Sequence, residues 1–192
     1  MSNDENIRNL GPLATLAGVW EGDAGLDIAP SADRGVMETP FRERAVFEPI
    51  GQVDNHEQVL YGLRYATTAY RIGEADAFHE EVGYWLWDAG RGGQDGQVMR
   101  CFVVPRGVTI LAGGSAAADA RKFSLAADVG SETYSVASNR FLDAEFKTVR
   151  YELEVNLGTE GVFEYKEDTQ LQVKGQAELF HHRDSNRLTR VG

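Results

Sequence analysis

Two adjacent histidines, His181 and His182, stand in the run Leu179-Phe180-His181-His182-Arg183-Asp184-Ser185-Asn186-Arg187-Leu188. Imidazole is the side chain that ligates metals and moves protons near neutral pH. Neighbours on an extended segment point to opposite faces, so at most one of the pair faces inward and the two cannot grip one ion. A zinc site asks for three or four ligands, and the lone Cys101 with the distant His56 and His79 is not spaced to complete one. A single histidine as sole protein ligand is instead the way an iron porphyrin is often held. The structural alternative is a histidine at a barrel end bonded to Asp184 or to backbone, and the residues alone leave both readings open.

His79 opens the phrase Phe78-His79-Glu80-Glu81-Val82-Gly83-Tyr84-Trp85. Strand alternation puts His79, Glu81, Gly83 and Trp85 on one face, with His79 at the rim. His56 follows Asp54 and Asn55 in a turn and reads as a solvated loop residue. Other catalytic patterns fail on their physical requirements. Ser138-Asn139-Arg140 and Gly113-Gly114-Ser115 have no strand-to-helix turn to make a nucleophile elbow. Gly90 to Gly96 lacks the lysine and the helix of a phosphate loop. Glu80 and Glu81 point to opposite faces, so they form no carboxylate dyad. Cys101, between Arg100 and Phe102, reads as an inert strand thiol rather than an activated one.

The elements that would position these groups are mostly strands. Asn9 to Gly18, with Leu10, Leu13 and Leu16 along one side, predicts a short helix that plugs one end. Extended runs follow at Phe41–Ile50, Gln58–Ile72, His79–Trp87, Val98–Val104, Val108–Ala112, Lys122–Ala127, Thr148–Asn156, Val162–Val173 and Ala177–Val191. They are rich in β-branched and aromatic residues and separated by glycine-bearing turns, such as the one formed by Gly90, Gly92, Gly93, Asp95 and Gly96. Consecutive hairpins need only neighbour pairing, and closure removes the exposed edges, so the expectation is one closed antiparallel barrel over 1–192. Residues 1–12 read as a loosely ordered lead. Residues 27–40, with two of the five prolines, read as a loop near the barrel mouth.

At 192 residues the chain fits one domain with its own core. A net charge of −11 with scattered basic residues argues against nucleic acid as a partner. The single cysteine suits a reducing compartment. The polar, acidic opening residues do not resemble a signal peptide, and no long apolar run follows. The expectation is a cytoplasmic protein with neither a membrane nor a nucleic-acid partner; assembly as a homodimer stays open.

The phrase Leu13–Gly22 (LATLAGVWEG), the strand Tyr65-Ala66-Thr67-Thr68-Ala69-Tyr70, the His79 phrase and the C-terminal histidines together, in this order, resemble the nitrobindin family of haem-binding β-barrels. Gly18, Trp20 and Gly22 match the family's G-x-W-x-G-x-G signature, while Ala24 replaces its third glycine and Gly25 follows. The resemblance implies a barrel of about ten strands, related in shape to the lipocalins and fatty-acid-binding proteins. It implies haem b held by one C-terminal histidine, with nitric oxide binding and isomerisation of peroxynitrite to nitrate at the open iron position. His182 is the implied metal ligand, with His181 as the other candidate. Phe78, His79 and Thr67 are implied on the cofactor side, and Trp20 is implied as a barrel-floor anchor. The spacing from His182 to Leu188 is one residue longer than in the nitrobindins, which a β-bulge would absorb; without one, alternation is expected to turn His181 inward or to leave neither histidine facing iron. Two further readings share the barrel: a non-haem carrier of a small apolar or fatty-acid-like ligand, and a barrel filled by its own aromatics around Tyr84, Trp85 and Trp87.

Overall fold

The computed structural model describes residues 3–90 and 95–192, so Met1 and Ser2 of the expected lead and Gly92 and Gly93 of the expected turn lie outside the described residues. A short helix α1 (Asn3–Arg8) and a 3₁₀ segment (Gly11–Leu16) lead into β1 (Gly18–Pro30), β2 (Val36–Pro49), β3 (Val53–Asn55), β4 (Gln58–Arg71), β5 (Ala77–Asp88) and β6 (Gly96–Val104). β7 (Val108–Ala116), β8 (Lys122–Asp128), β9 (Val136–Ser138), α2 (Arg140–Glu145), β10 (Phe146–Asn156), β11 (Val162–Val173) and β12 (Phe180–Arg190) complete the chain. The long strands pair antiparallel in the order β2-β1-β12-β11-β10-β8-β7-β6-β5-β4, and β2 pairs with β4 from Phe41↔Arg71 to Pro49↔Leu63. That last pairing closes a ten-stranded barrel. The short β3 and β9 lie beside β4 and β7, outside this ring.

One end of the barrel is plugged as the leucine spacing predicts. Leu10, Leu13 and Leu16 are fully buried against Trp20, Trp87, Leu63, Val98 and Leu188. Each such leucine contributes roughly 1.5–3 kcal/mol by leaving water. Trp20 Nε1 donates to the Leu16 carbonyl at 2.7 Å, so the indole N–H is satisfied by the segment it packs on. Leu10 and Pro12 are buried, so the end of the expected loose lead is part of the plug. Above it, Phe47, Tyr65, Trp85, Phe102, Phe123 and Phe163 fill the lower half of the interior. Tyr84 points outward and is exposed.

The expected loop at 27–40 is instead a hairpin. β1 runs through Asp27 to Pro30 and pairs with β2 from Leu26↔Pro40 to Pro30↔Val36, and a turn at 31–35 closes with Ser31 N–H donating to Gly35 O at 3.0 Å. The prolines and the polar inward residues Asp27 and Thr39 remove the apolar alternation by which a strand is ordinarily read.

Candidate functional site

The residues of interest at the end opposite the plug come from β1, β2, β5, β11 and β12. β12 pairs with β11 at constant register from Val162↔Thr189 to Leu171↔Phe180. Side chains two apart share a face, so His182, Asp184 and Asn186 face inward with the buried Leu188, and His182 lies roughly 20 Å along the strand from the plugged end. The bulge expected on β12 is absent, and its expected consequence is corrected with it. Six residues from His182 to Leu188 is an even spacing, which turns His182 inward and His181 outward. His181 sits on the outer face, its Nδ1 2.7 Å from Asp168 Oδ2, and takes no part in the interior.

The bulge lies on β1 instead. Pairing slips by one residue with β2 between Gly22 and Gly25 and with β12 between Glu21 and Leu26. This slip changes the phase of the strand: Trp20 faces inward before it and Asp27 faces inward after it. The two glycines frame it for steric reasons. A Cβ on Gly22 would stand 2.5 Å from the Arg187 carbonyl oxygen, and one on Gly25 would stand 2.6 Å from the Phe41 ring.

Asp27 then meets His182, whose Nε2 lies 2.9 Å from Asp27 Oδ1 and 3.3 Å from Asp184 Oδ2. Burial opposes charging the imidazole, but the Asp27 hydrogen bond and the Asp184 charge more than offset it and raise the His182 pKa. Burial, with repulsion from Glu167 and Asp27 and against the attraction of His182, pushes the Asp184 carboxyl up to about 8.

Across the barrel, β5 carries its own irregularity. Ala69 pairs with His79 but Tyr70 pairs with Ala77, so Phe78 is an extra residue. Both Phe78 and His79 thereby reach the inner side: the Phe78 ring packs edge-on to the buried Phe41 at 6.0 Å, and His79 Nε2 lies 3.2 Å from Glu81 Oε1. Burial lowers and Glu81 raises the His79 pKa, with a net rise. Both imidazoles keep solvent access, at 38% exposure for His79 and 26% for His182.

Beneath this mouth lies a polar floor. Arg100, fully enclosed, bridges Glu81 and Glu167 (2.8 Å to Glu167) and also donates to the Tyr65 and Tyr151 hydroxyls. Tyr65 donates to Glu81 at 3.0 Å and Tyr151 to Glu167 at 2.7 Å. Burial alone would raise Glu81, yet Arg100 with the His79 and Tyr65 hydrogen bonds holds it at about 2. Burial and the Glu81 charge raise Glu167 despite Arg100. Glu43 accepts from Thr67 at 2.7 Å, Tyr165 at 2.8 Å and Asn186 at 3.0 Å. Thr67 thus belongs to the floor, its hydroxyl committed to Glu43. A concavity of 780 Å³ is lined by residues of β8, β10, β11 and β12 with Ala24, among them Lys122, Glu154, Lys166, Asn186 and Arg187, and includes neither His79 nor His182.

The sequence named His182, His79 and Phe78, and the fold brings these three to one end. It did not name Asp27, Asp184, Glu81, Glu167, Arg100 or Glu43 as site residues. Asp184 stood in a polar run, Asp27 in an expected loop and Arg100 beside a cysteine. The usable signal was phase: Arg100 is two residues from both the buried Val98 and the buried Phe102, which obliges its charge to face the interior.

A family model described as "THAP4-like, heme-binding beta-barrel domain" matches residues 9–190. The chain belongs to this family. The family resemblance read from the sequence is borne out, and haem is the cofactor of the family. Comparison with curated proteins finds no match. Among solved structures, the crystal structure of Rv2717c from M. tuberculosis superposes with a TM-score of 0.67 at 18% identity, covering 96% of this chain and 98% of that one, which shows a common fold. The residues at the mouth fit a haem of this family: one inward imidazole on the last strand, solvent access, and the Phe41–Phe78 pair and Leu171 as apolar surface. No helix among the described residues is long and apolar enough to cross a membrane.

Proposed function

We propose that the protein binds haem b at the open end of its barrel through His182 and there binds nitric oxide and isomerises peroxynitrite to nitrate. The observation that carries the choice of ligand is the phase of β12, which turns His182 inward and His181 out. When bound, the haem supplies the iron coordination chemistry, and the protein supplies ligand, polarity and access. His182, whose Nε2 is bonded to Asp27 in the haem-free protein, would be the residue that holds the iron. Asp27 and Asp184 would remain beside it as carboxyl groups able to hydrogen-bond around the bound ligand. His79, oriented by Glu81 and inclined toward the imidazolium by it, offers positive charge to an anionic ligand on the facing wall. An apolar-ligand carrier is not favoured, because Arg100, the natural partner for a fatty-acid carboxylate, is already held by Glu81 and Glu167. A reducing, cytoplasmic setting agrees with Cys101, whose thiol is partly enclosed and raised in pKa by burial.

Stopped-flow mixing of the haem-loaded protein with peroxynitrite tests the activity. The expected result is decay faster than in buffer, nitrate as the main product, and slower decay in His79→Gln. Decay and product yields equal to those of buffer would overturn the reaction while leaving haem binding to be judged separately.

A further inference from the structure

We propose that Asp27, His182 and Asp184 form a site for one divalent transition-metal cation in the haem-free protein, with zinc(II) as the representative ion. One ligand atom from each of the three lies within 4.8 Å of the others. Zinc bonds to nitrogen and carboxylate oxygen are about 2.0–2.2 Å, so two donors on one tetrahedral ion stand about 3.3 Å apart. The His182 Nε2 separations of 2.9 Å and 3.3 Å from the two carboxylates are already close to that spacing. The third separation, between the two carboxylates, is no more than 4.8 Å, so side-chain rotation is enough to close the three donors on one ion.

The hydrogen bonding also leaves Asp184 open to a cation. His182 Nε2 has one proton and two carboxyl neighbours; it bonds Asp27, and among the described residues nothing donates a hydrogen bond to Asp184. Arg100 is the one buried cation among the described residues, and it is committed to Glu81 and Glu167 in the floor. An imidazole beside two carboxylates suits zinc, iron(II) or manganese, whereas magnesium and calcium prefer all-oxygen sites. Three protein ligands at a solvent-reached mouth leave a fourth position for water. The site does not rest on the haem reading. The two share His182 Nε2, which serves one metal at a time, so zinc and haem exclude each other.

Calorimetric titration of zinc chloride into the haem-free full chain tests this, with D27N/D184N and the single variant D184N alongside. The expected result is one zinc per chain in the native protein, lost in the double variant, which keeps one of the three ligands, and weakened measurably in D184N, which keeps the Asp27–His182 pair. Far-UV circular dichroism establishes that each variant is folded, and prior zinc loading is expected to slow haem uptake by the native protein. No zinc binding by the native protein alongside normal haem uptake overturns this site and leaves the haem reading standing. Equal zinc affinity in the native protein and both variants overturns it as well. One zinc per chain, lost with the carboxylates, in a protein that takes up no haem supports this site and overturns the haem reading.

Discussion

Arg100 carries the charge balance of the interior, because its guanidinium is the common partner of two enclosed carboxylates and two phenols. Removing one partner of a buried ion pair costs about 3–5 kcal/mol, since the remaining charge stays desolvated and alone. Arg100→Met is therefore expected to destabilise the fold by that amount, read from urea denaturation midpoints. Glu81→Gln is expected to cost less, because Glu167 remains with Arg100. The same pair sets an acid limit. Glu81 has a folded pKa of about 2 against an ordinary value of 4.5. Its ionised form thus contributes stability above pH 4.5, and that contribution is lost as pH falls from there toward 2. A plot of stability against pH is expected to fall across this window in the native protein and to be flatter in Glu81→Gln. At this scale the sequence was half legible. Histidines are few enough to be weighed one by one, whereas an inward arginine or glutamate looks like any surface charge until the strand's phase is known.

The elements place these residues through two irregularities. The slip on β1 turns Asp27 toward His182, and the extra residue on β5 lets Phe78 and His79 face the same interior. Gly25→Ala puts a methyl group 2.6 Å from the Phe41 ring. It is expected to cost about 1–3 kcal/mol through overpacking and to disturb the Asp27–His182 contact, which thermal denaturation and histidine NMR would register. Strand existence was readable from alternation in Thr148–Asn156 and from β-branched content in Gln58–Ile72. The β1–β2 hairpin at 27–40 was not, because its inward side chains are polar and its ladder contains prolines. The bulges were legible only as surplus residues. One was expected on the wrong strand, since a spacing difference against other proteins does not say where the extra residue goes.

The whole molecule is held by pairings that join distant parts of the chain. β1 pairs with β12, Val191 N–H donates to the Val19 carbonyl at 2.8 Å, and β2 meets β4 to close the ring. Such non-local pairing must form before the core is complete, so refolding is expected on a timescale of about milliseconds to seconds, measurable by stopped-flow tryptophan fluorescence. Closure was legible from consecutive hairpins; that β2 reaches past the short β3 to β4 was not, because nothing local records it. The division into a plugged apolar end, a polar floor and an open histidine-bearing mouth follows from that ring. A haem titration followed by optical absorption, on the native protein, His181→Ala and His182→Ala, tests this account at its centre. The prediction is a Soret band in the native protein and in His181→Ala, lost in His182→Ala. A Soret band that survives in His182→Ala, or that disappears with His181, would contradict it.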